Sequence, residues 1–173
     1  DRPAPSHQIA HTRSRHRNTR ADEPWGEIVA EAPPFRILPR VTSNNEFFWT
    51  GGLHDELRFL RCKDDGYYIH PPQPICPICH GKNLAPETVS GRGTVVTYTV
   101  NHQPWMPVPE LPYVVALVEI EEQAGMRLMT NIEGIPPEDV RIGLEVEVAF
   151  EHHVDDAGDV WIPIFQPRSG KGA

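Results

Sequence analysis

Apolar and polar positions change their rhythm along this chain, and the change divides it. From residue 94 onwards the pattern is that of strands. Thr94, Val95, Val96, Thr97, Tyr98, Thr99 and Val100 form a β-branched and aromatic run bounded by Ser90-Gly91-Arg92-Gly93. Tyr113 to Ile120, whose first six residues form the longest apolar run, predict a strand buried on both faces. Residues 126–132 resume the pattern after a turn at Gly125, Val146, Val148 and Phe150 alternate with acids, and residues 160–165 close the set. Five strands with one short insertion at 136–140 predict a small closed or nearly closed barrel, and the five-stranded candidate is the OB-fold. Pro163 assigns the last strand to an edge or a bulge, because proline has no ladder donor.

Ahead of the barrel the rhythm is different. Thr42, Ser43, Asn44 and Asn45 offer N-cap side chains before Glu46-Phe47-Phe48-Trp49, and Leu53 and Leu57 continue an apolar face at i+4 spacing from Trp49. This predicts a short helix within 41–58, weakened by Gly51-Gly52. Residues 59–88 hold the three cysteines among prolines and glycines. The expected class is mainly β: a tail over 1–40, the helix over 41–58, a zinc-ribbon (rubredoxin-like) segment over 59–88, the OB-fold over 89–167 and a tail over 168–173.

Composition narrows the function classes. With 173 residues, 39% of them hydrophobic, the chain buries one modest core or two small ones. Nineteen prolines, about 11% against a usual ~5%, favour fixed turns and short strands. No apolar run approaches the roughly 18 residues of a membrane span. Residues 1–20 carry five arginines against Asp1, +4, which leaves −12 for the rest of a chain whose total is −8. An acidic body repels phosphate backbones, so a single-stranded nucleic-acid-binding OB module is the weaker alternative, with the arginine tail as its one supporting feature. That tail reads as a linker, and the start at Asp1 as a domain cut from a longer polypeptide.

Three cysteines are too few for a disulfide framework and fit a reducing, cytoplasmic setting. Cys76-Pro77-Ile78-Cys79 is not preceded by a strand and followed by a helix, as a thioredoxin-like redox pair requires. It reads as a metal knuckle, in which a tight turn converges two thiolates and backbone N–H groups donate to the sulfurs. Thirteen residues separate Cys62 from Cys76, a usual ribbon spacing, so Cys62 supplies a third thiolate. In Cys62-Lys63-Asp64-Asp65-Gly66 an acid stands where the first knuckle's second cysteine is expected. Asp65 is the leading fourth ligand to a structural zinc, with His80 and His70 as alternatives and a metal-free ribbon as a further one. An open three-cysteine zinc serving a metallo-hydrolase is disfavoured, because no general base stands nearby.

Together Phe48-Trp49, the 57–61 segment, Cys62, Pro71-Pro72, Cys76-Pro77-Ile78-Cys79, Ser90 to Val95, Pro112 to Glu119, and Gly143 before Glu145-Val146-Glu147-Val148 resemble the thiolase-associated zinc-ribbon plus OB-fold family, formerly a domain of unknown function. The resemblance runs from about residue 44 to 167. It departs from the family at Asp65, where a cysteine is usual, and at His80, where glycine is usual. It implies a non-catalytic scaffold subunit that docks on a thiolase-fold enzyme acting on acyl-CoA thioesters, with the chemistry in the partner. One branch looks like the C-terminal domain of a steroid side-chain hydratase subunit, attached to a MaoC-like hydratase domain, that partners a lipid-transfer-protein-like aldolase. Other branches are similar to helpers of acetoacetyl-CoA thiolase and hydroxymethylglutaryl-CoA synthase assemblies, or of acyltransferases.

A retro-aldol step needs a base and donors for the enolate, and this chain shows no such set, so no residue of its own is assigned a catalytic role. The partner or channel contacts expected are Phe48, Trp49, His102 and Trp105. Arg92 is read as part of strand initiation rather than as a contact to a CoA phosphate. His152 and His153, adjacent on a strand, point to opposite faces and make no metal pair.

Overall fold

The computed structural model describes residues 36–104, 111–155 and 158–169, all within one compact unit. The tail expected over 1–40 therefore lies outside the described residues as far as residue 35, as do Trp105 and the last four residues.

A single helical turn, α1 (Glu46–Trp49), is followed by a 3-10 turn, Gly51–His54. The helix expected to run on to Leu57 is broken at Thr50. Gly51 and Gly52 are buried, and at Gly52 a Cβ would stand 2.4 Å from Trp161 Cβ and 2.7 Å from the Phe150 ring. The glycines are there for close approach, so Leu53 is left 60% exposed and Leu57, past the turn, reaches the core instead.

Three strands then form an antiparallel sheet in the order β2-β1-β3: β1 (Arg58–Cys62), β2 (Tyr68–Ile69) and β3 (Leu84–Thr88). Its two faces do different work, as alternation requires. Phe59, Arg61, Tyr68 and Glu87 share one face, where Phe59 and Tyr68 join the main core. Leu60, Cys62, Ile69 and Leu84 share the other and make a small separate cluster with Cys76.

The remaining strands, β4 (Arg92–Asn101), β5 (Tyr113–Ile120), β6 (Arg127–Ile132), β7 (Glu145–Asp155) and β8 (Gly158–Pro167), close a barrel in the order β4-β5-β6-β8-β7. This is the five-stranded OB arrangement the sequence predicts. A bulge between Val95 and Thr97 shifts the β4–β5 register and bends β4. In β5 only alternate residues, Val114, Ala116, Val118 and Ile120, are buried, so the strand is buried on one face rather than two. Pro163 lies inside β8, opposite Phe150 of β7, and not on a sheet edge. It is tolerated because β8 meets β6 at one pair only, Ile132 with Phe165, and the Pro163 carbonyl on that seam takes the Thr130 hydroxyl at 2.9 Å.

One core joins the two sheets, with Phe48, Leu57, Phe59 and Tyr68 packed into the same cluster as Val95, Val118, Val146 and Phe165. No helix among the described residues is long and apolar enough to cross a membrane.

Candidate metal centre

Two tight turns place the candidate ligands. At the end of β1 the Cys62 carbonyl takes Gly66 N–H at 2.9 Å, and Gly66 has φ +80°, a conformation that glycine enters without a Cβ penalty. In the second turn the Cys76 carbonyl takes His80 N–H at 3.0 Å and Cys76 N–H reaches the Gly81 carbonyl at 2.9 Å. Ile78 N–H points at Cys76 Sγ and Gly81 N–H at Cys79 Sγ, each at 3.4 Å, the N–H···S pattern of a knuckle.

The turns bring one ligand atom each of Cys62, Asp65, Cys76 and Cys79 within 4.8 Å of one another. Cys62 Sγ and Cys79 Sγ are 3.6 Å apart, and Asp65 Oδ2 is 3.1 Å from Cys76 Sγ. Cys62 and Cys76 are fully buried, while Asp65 and Cys79 face solvent. Asp65 is aimed by its second oxygen, which accepts Tyr67 N–H at 2.9 Å. That bond and then the Cys76 thiol hold the Asp65 carboxyl down at about 2, so it is an anion at neutral pH. Cys79 is stabilised as thiolate by Gly81 N–H, but the Asp65 carboxylate, burial and the other two thiols together push it up to about 12.

This set fits a tetrahedral divalent cation. Three sulfurs and one carboxylate oxygen converge, and the Asp65 carboxylate makes the Cys79 thiolate costly; a cation at their centre removes that conflict. The alternatives stand apart from the cluster. His70 packs between Phe48 and Phe59, with ring centroids 4.9 and 5.2 Å away, and burial lowers its pKa. His80 is exposed and has φ +58°, the left-handed conformation that makes glycine usual at such a position.

The other expected contacts divide. Phe48 is 3% exposed and belongs to the core, which corrects its assignment as a partner contact: a ring shut in on Phe59 and His70 has no outer surface to offer. Trp49 is half-buried, edge-on to Phe48. His102 is exposed, one residue past the end of β4. Arg92 is paired with Glu121 at 2.7 Å. His152 is exposed and stacked on Trp161, and His153 is buried on the opposite face of β7.

Two groups were not singled out from the sequence. Glu87 receives Lys63 at 2.6 Å, Arg61 and the Tyr68 hydroxyl, and these, Lys63 foremost, hold its carboxyl down at about 2. Arg36, before α1, reaches across the barrel to Glu151 at 2.7 Å and to Asn131 at 2.8 Å, and Glu151 in turn lies 3.0 Å from His153 Nε2. Nothing in the local sequence marks either, because their partners are 19 to 115 residues away.

The family model described as the ChsH2 C-terminal OB-fold domain matches residues 86–151. The 3-oxo-4,17-pregnadiene-20-carboxyl-CoA hydratase alpha subunit of Mycobacterium tuberculosis is 35% identical over 133 residues, 76% of this chain and 41% of that protein. A DUF35 domain-containing scaffold protein of Methanocaldococcus jannaschii is 40% identical over 102 residues, 58% of this chain and 71% of that one. The solved structure named Ltp2-ChsH2(DUF35) aldolase contains a chain that superposes with TM-score 0.66 at 35% identity, over 76% of this chain and 100% of that one. The chain spans about two fifths of the length of the hydratase alpha subunits it matches.

Proposed function

The chain belongs to the DUF35 family, and from that membership we propose that it is a non-catalytic helper subunit that binds a thiolase-fold enzyme acting on acyl-CoA thioesters. The observation that carries this is the match, along the whole of that chain, to the DUF35 chain of a complex named as an aldolase. The reaction served is a retro-aldol cleavage in the breakdown of a steroid-type side chain, a reading supported by the name of the mycobacterial relative. The relatives named as hydratase subunits, of which this chain spans about two fifths, favour a covalently linked MaoC-like hydratase domain. A second reading is a helper in an acetoacetyl-CoA thiolase and hydroxymethylglutaryl-CoA synthase assembly, with which the naming of the archaeal relative as a scaffold protein is compatible.

Cys62, Asp65, Cys76 and Cys79 hold a structural zinc in this proposal. When bound, such an ion contributes folding free energy and no chemistry, since four protein ligands leave no open position. The residues' own task is to fix the second knuckle against β1.

The chain is recovered with a tag from its own host, passed through gel filtration, and its partner and zinc are measured in the same fraction. A thiolase-fold enzyme at stoichiometric ratio, with acyl-CoA cleavage that requires this chain, is the expected result. A lone monomer, or one carrying nucleic acid, overturns the helper reading. A synthase in place of an aldolase selects the second.

A further inference from the structure

β4 is paired with β5 along its length, but with β7 only from Arg92 to Thr94. Beyond the bulge no described strand lies on its other side. The direction of its backbone groups there follows from the ladder. Ile120 N–H bonds the Met126 carbonyl, so Ile120 faces the β6 side, and alternate residues Val118, Ala116 and Val114 face the same way. The Val114 carbonyl accordingly takes the Asn131 side-chain amide at 2.8 Å. Residues opposite them on β4, Tyr98 and Val100, must then turn their N–H and C=O away from β5. Among the described residues no strand pairs with β4 on this side at Tyr98 or Val100.

Strand edges of this kind are ordinarily guarded by lysine, proline or a bulge. From Gly93 to Asn101 the strand has no charged residue and no proline, and its bulge lies before the open stretch. Thr97 and Thr99 are exposed, and Tyr98 is 37% exposed. The adjoining outer face continues the uncharged surface, with Thr97, Leu117 and Met129 in one cross-strand row and Met129 71% exposed.

We propose that the open edge of β4 at Tyr98 and Val100 receives an extended strand of the partner enzyme, adding a sixth strand to this side of the barrel. The inference rests on the helper reading above and names where the partner engages. Paired N–H and C=O groups at alternate residues are satisfied together only by extended main chain. The strand received is uncharged or basic, with small or β-branched residues over Thr97 and Thr99, because a chain of net charge −8 repels an acidic one. The same charge opposes pairing with a second copy.

Amide hydrogen exchange of the free chain and of its complex with the thiolase-fold enzyme tests this. In the free chain Tyr98 and Val100 amides exchange fast while Thr97 and Thr99, turned towards β5, are protected. In the complex Tyr98 and Val100 slow by about 100-fold or more. On the backbone Val100→Pro removes only an outward donor, so β4 stays paired with β5 while the complex weakens about 10- to 100-fold; Val100→Ala, which trims the side chain packed on the core and keeps the donor, binds normally. A complex that forms without slowing these amides and tolerates Val100→Pro overturns the edge and leaves the helper reading standing. Protection that appears with concentration in the free chain assigns the edge to a second copy and overturns the inference. Failure to bind any thiolase-fold enzyme ends both.

Discussion

Removing Arg36 should cost this fold more than any exposed ion pair on its surface. The Glu151 side chain is 10% exposed and that of His153 is 8%, whereas Arg36 is 24% exposed and covers them. Arg36→Ala leaves the carboxylate shut in without its cation. Breaking a buried pair costs about 3–5 kcal/mol, and the partial exposure of Arg36 brings the expected loss to about 2–3 kcal/mol. With a urea slope of about 1.5–2 kcal/mol/M the midpoint falls by roughly 1–2 M, read by far-UV circular dichroism. Glu151→Ala in the Arg36→Ala background should recover part of the loss, because the stranded charge goes with it. The exposed Arg127–Glu119 pair at 3.1 Å is the control, and its loss should stay below about 0.5 kcal/mol. An Arg36→Ala midpoint within about 0.3 M of the parent, or a double-mutant cycle with no coupling, would refute the reasoning.

Cys76→Ser and Cys79→Ser should abolish stoichiometric zinc, measured by metal analysis after gel filtration, while the strand signal of the barrel persists; Asp65→Ala should lower affinity against a chromophoric chelator more than His80→Ala. The Glu87 carboxyl, lowered from 4.5 to about 2, favours the folded chain fully above pH 4.5 and loses that contribution as pH falls towards 2. Glu87→Gln should flatten the stability profile in that window, and an NMR titration of Glu87 with a midpoint near 4.5 would contradict it. Gly52→Ala forces a Cβ against Trp161 and Phe150 and should destabilise by about 2–3 kcal/mol in thermal unfolding, with an unchanged melting temperature as the opposing result.

The barrel was legible because its strands advertise themselves locally. The run from Tyr113 onward begins and ends as a strand where β-branched residues do, and Gly91 and Gly125 mark real turns. The convergence of Cys62, Asp65, Cys76 and Cys79 followed from spacing, because a knuckle is a short-range object. What escaped is what depends on neighbours. The i+4 spacing of Trp49, Leu53 and Leu57 looked helical, but the approach of Trp161 to Gly52 decides the local backbone, and that contact spans more than 100 residues. The apolar content of β5 implied two buried faces; among the described residues the inner one is buried and the outer one half-buried. Phe48 looked available because an aromatic beside a tryptophan reads as a platform, and only the fold of β1 and His70 over it shows otherwise.

The single core that runs from Phe48 and Phe59 to Val146 and Phe165 has a consequence for anyone who would take this protein apart. The join between ribbon and barrel looks like a place to cut, yet a barrel severed at residue 88 would present to water the apolar surface that Phe48, Leu57, Phe59 and Tyr68 now cover. Truncations made there should precipitate or recruit foreign surfaces, and binding scored with them would mislead. Exchange of parts between relatives has to move the helical turn and β1 with the barrel, whereas the knuckles, resting on their own small cluster, can be redesigned alone.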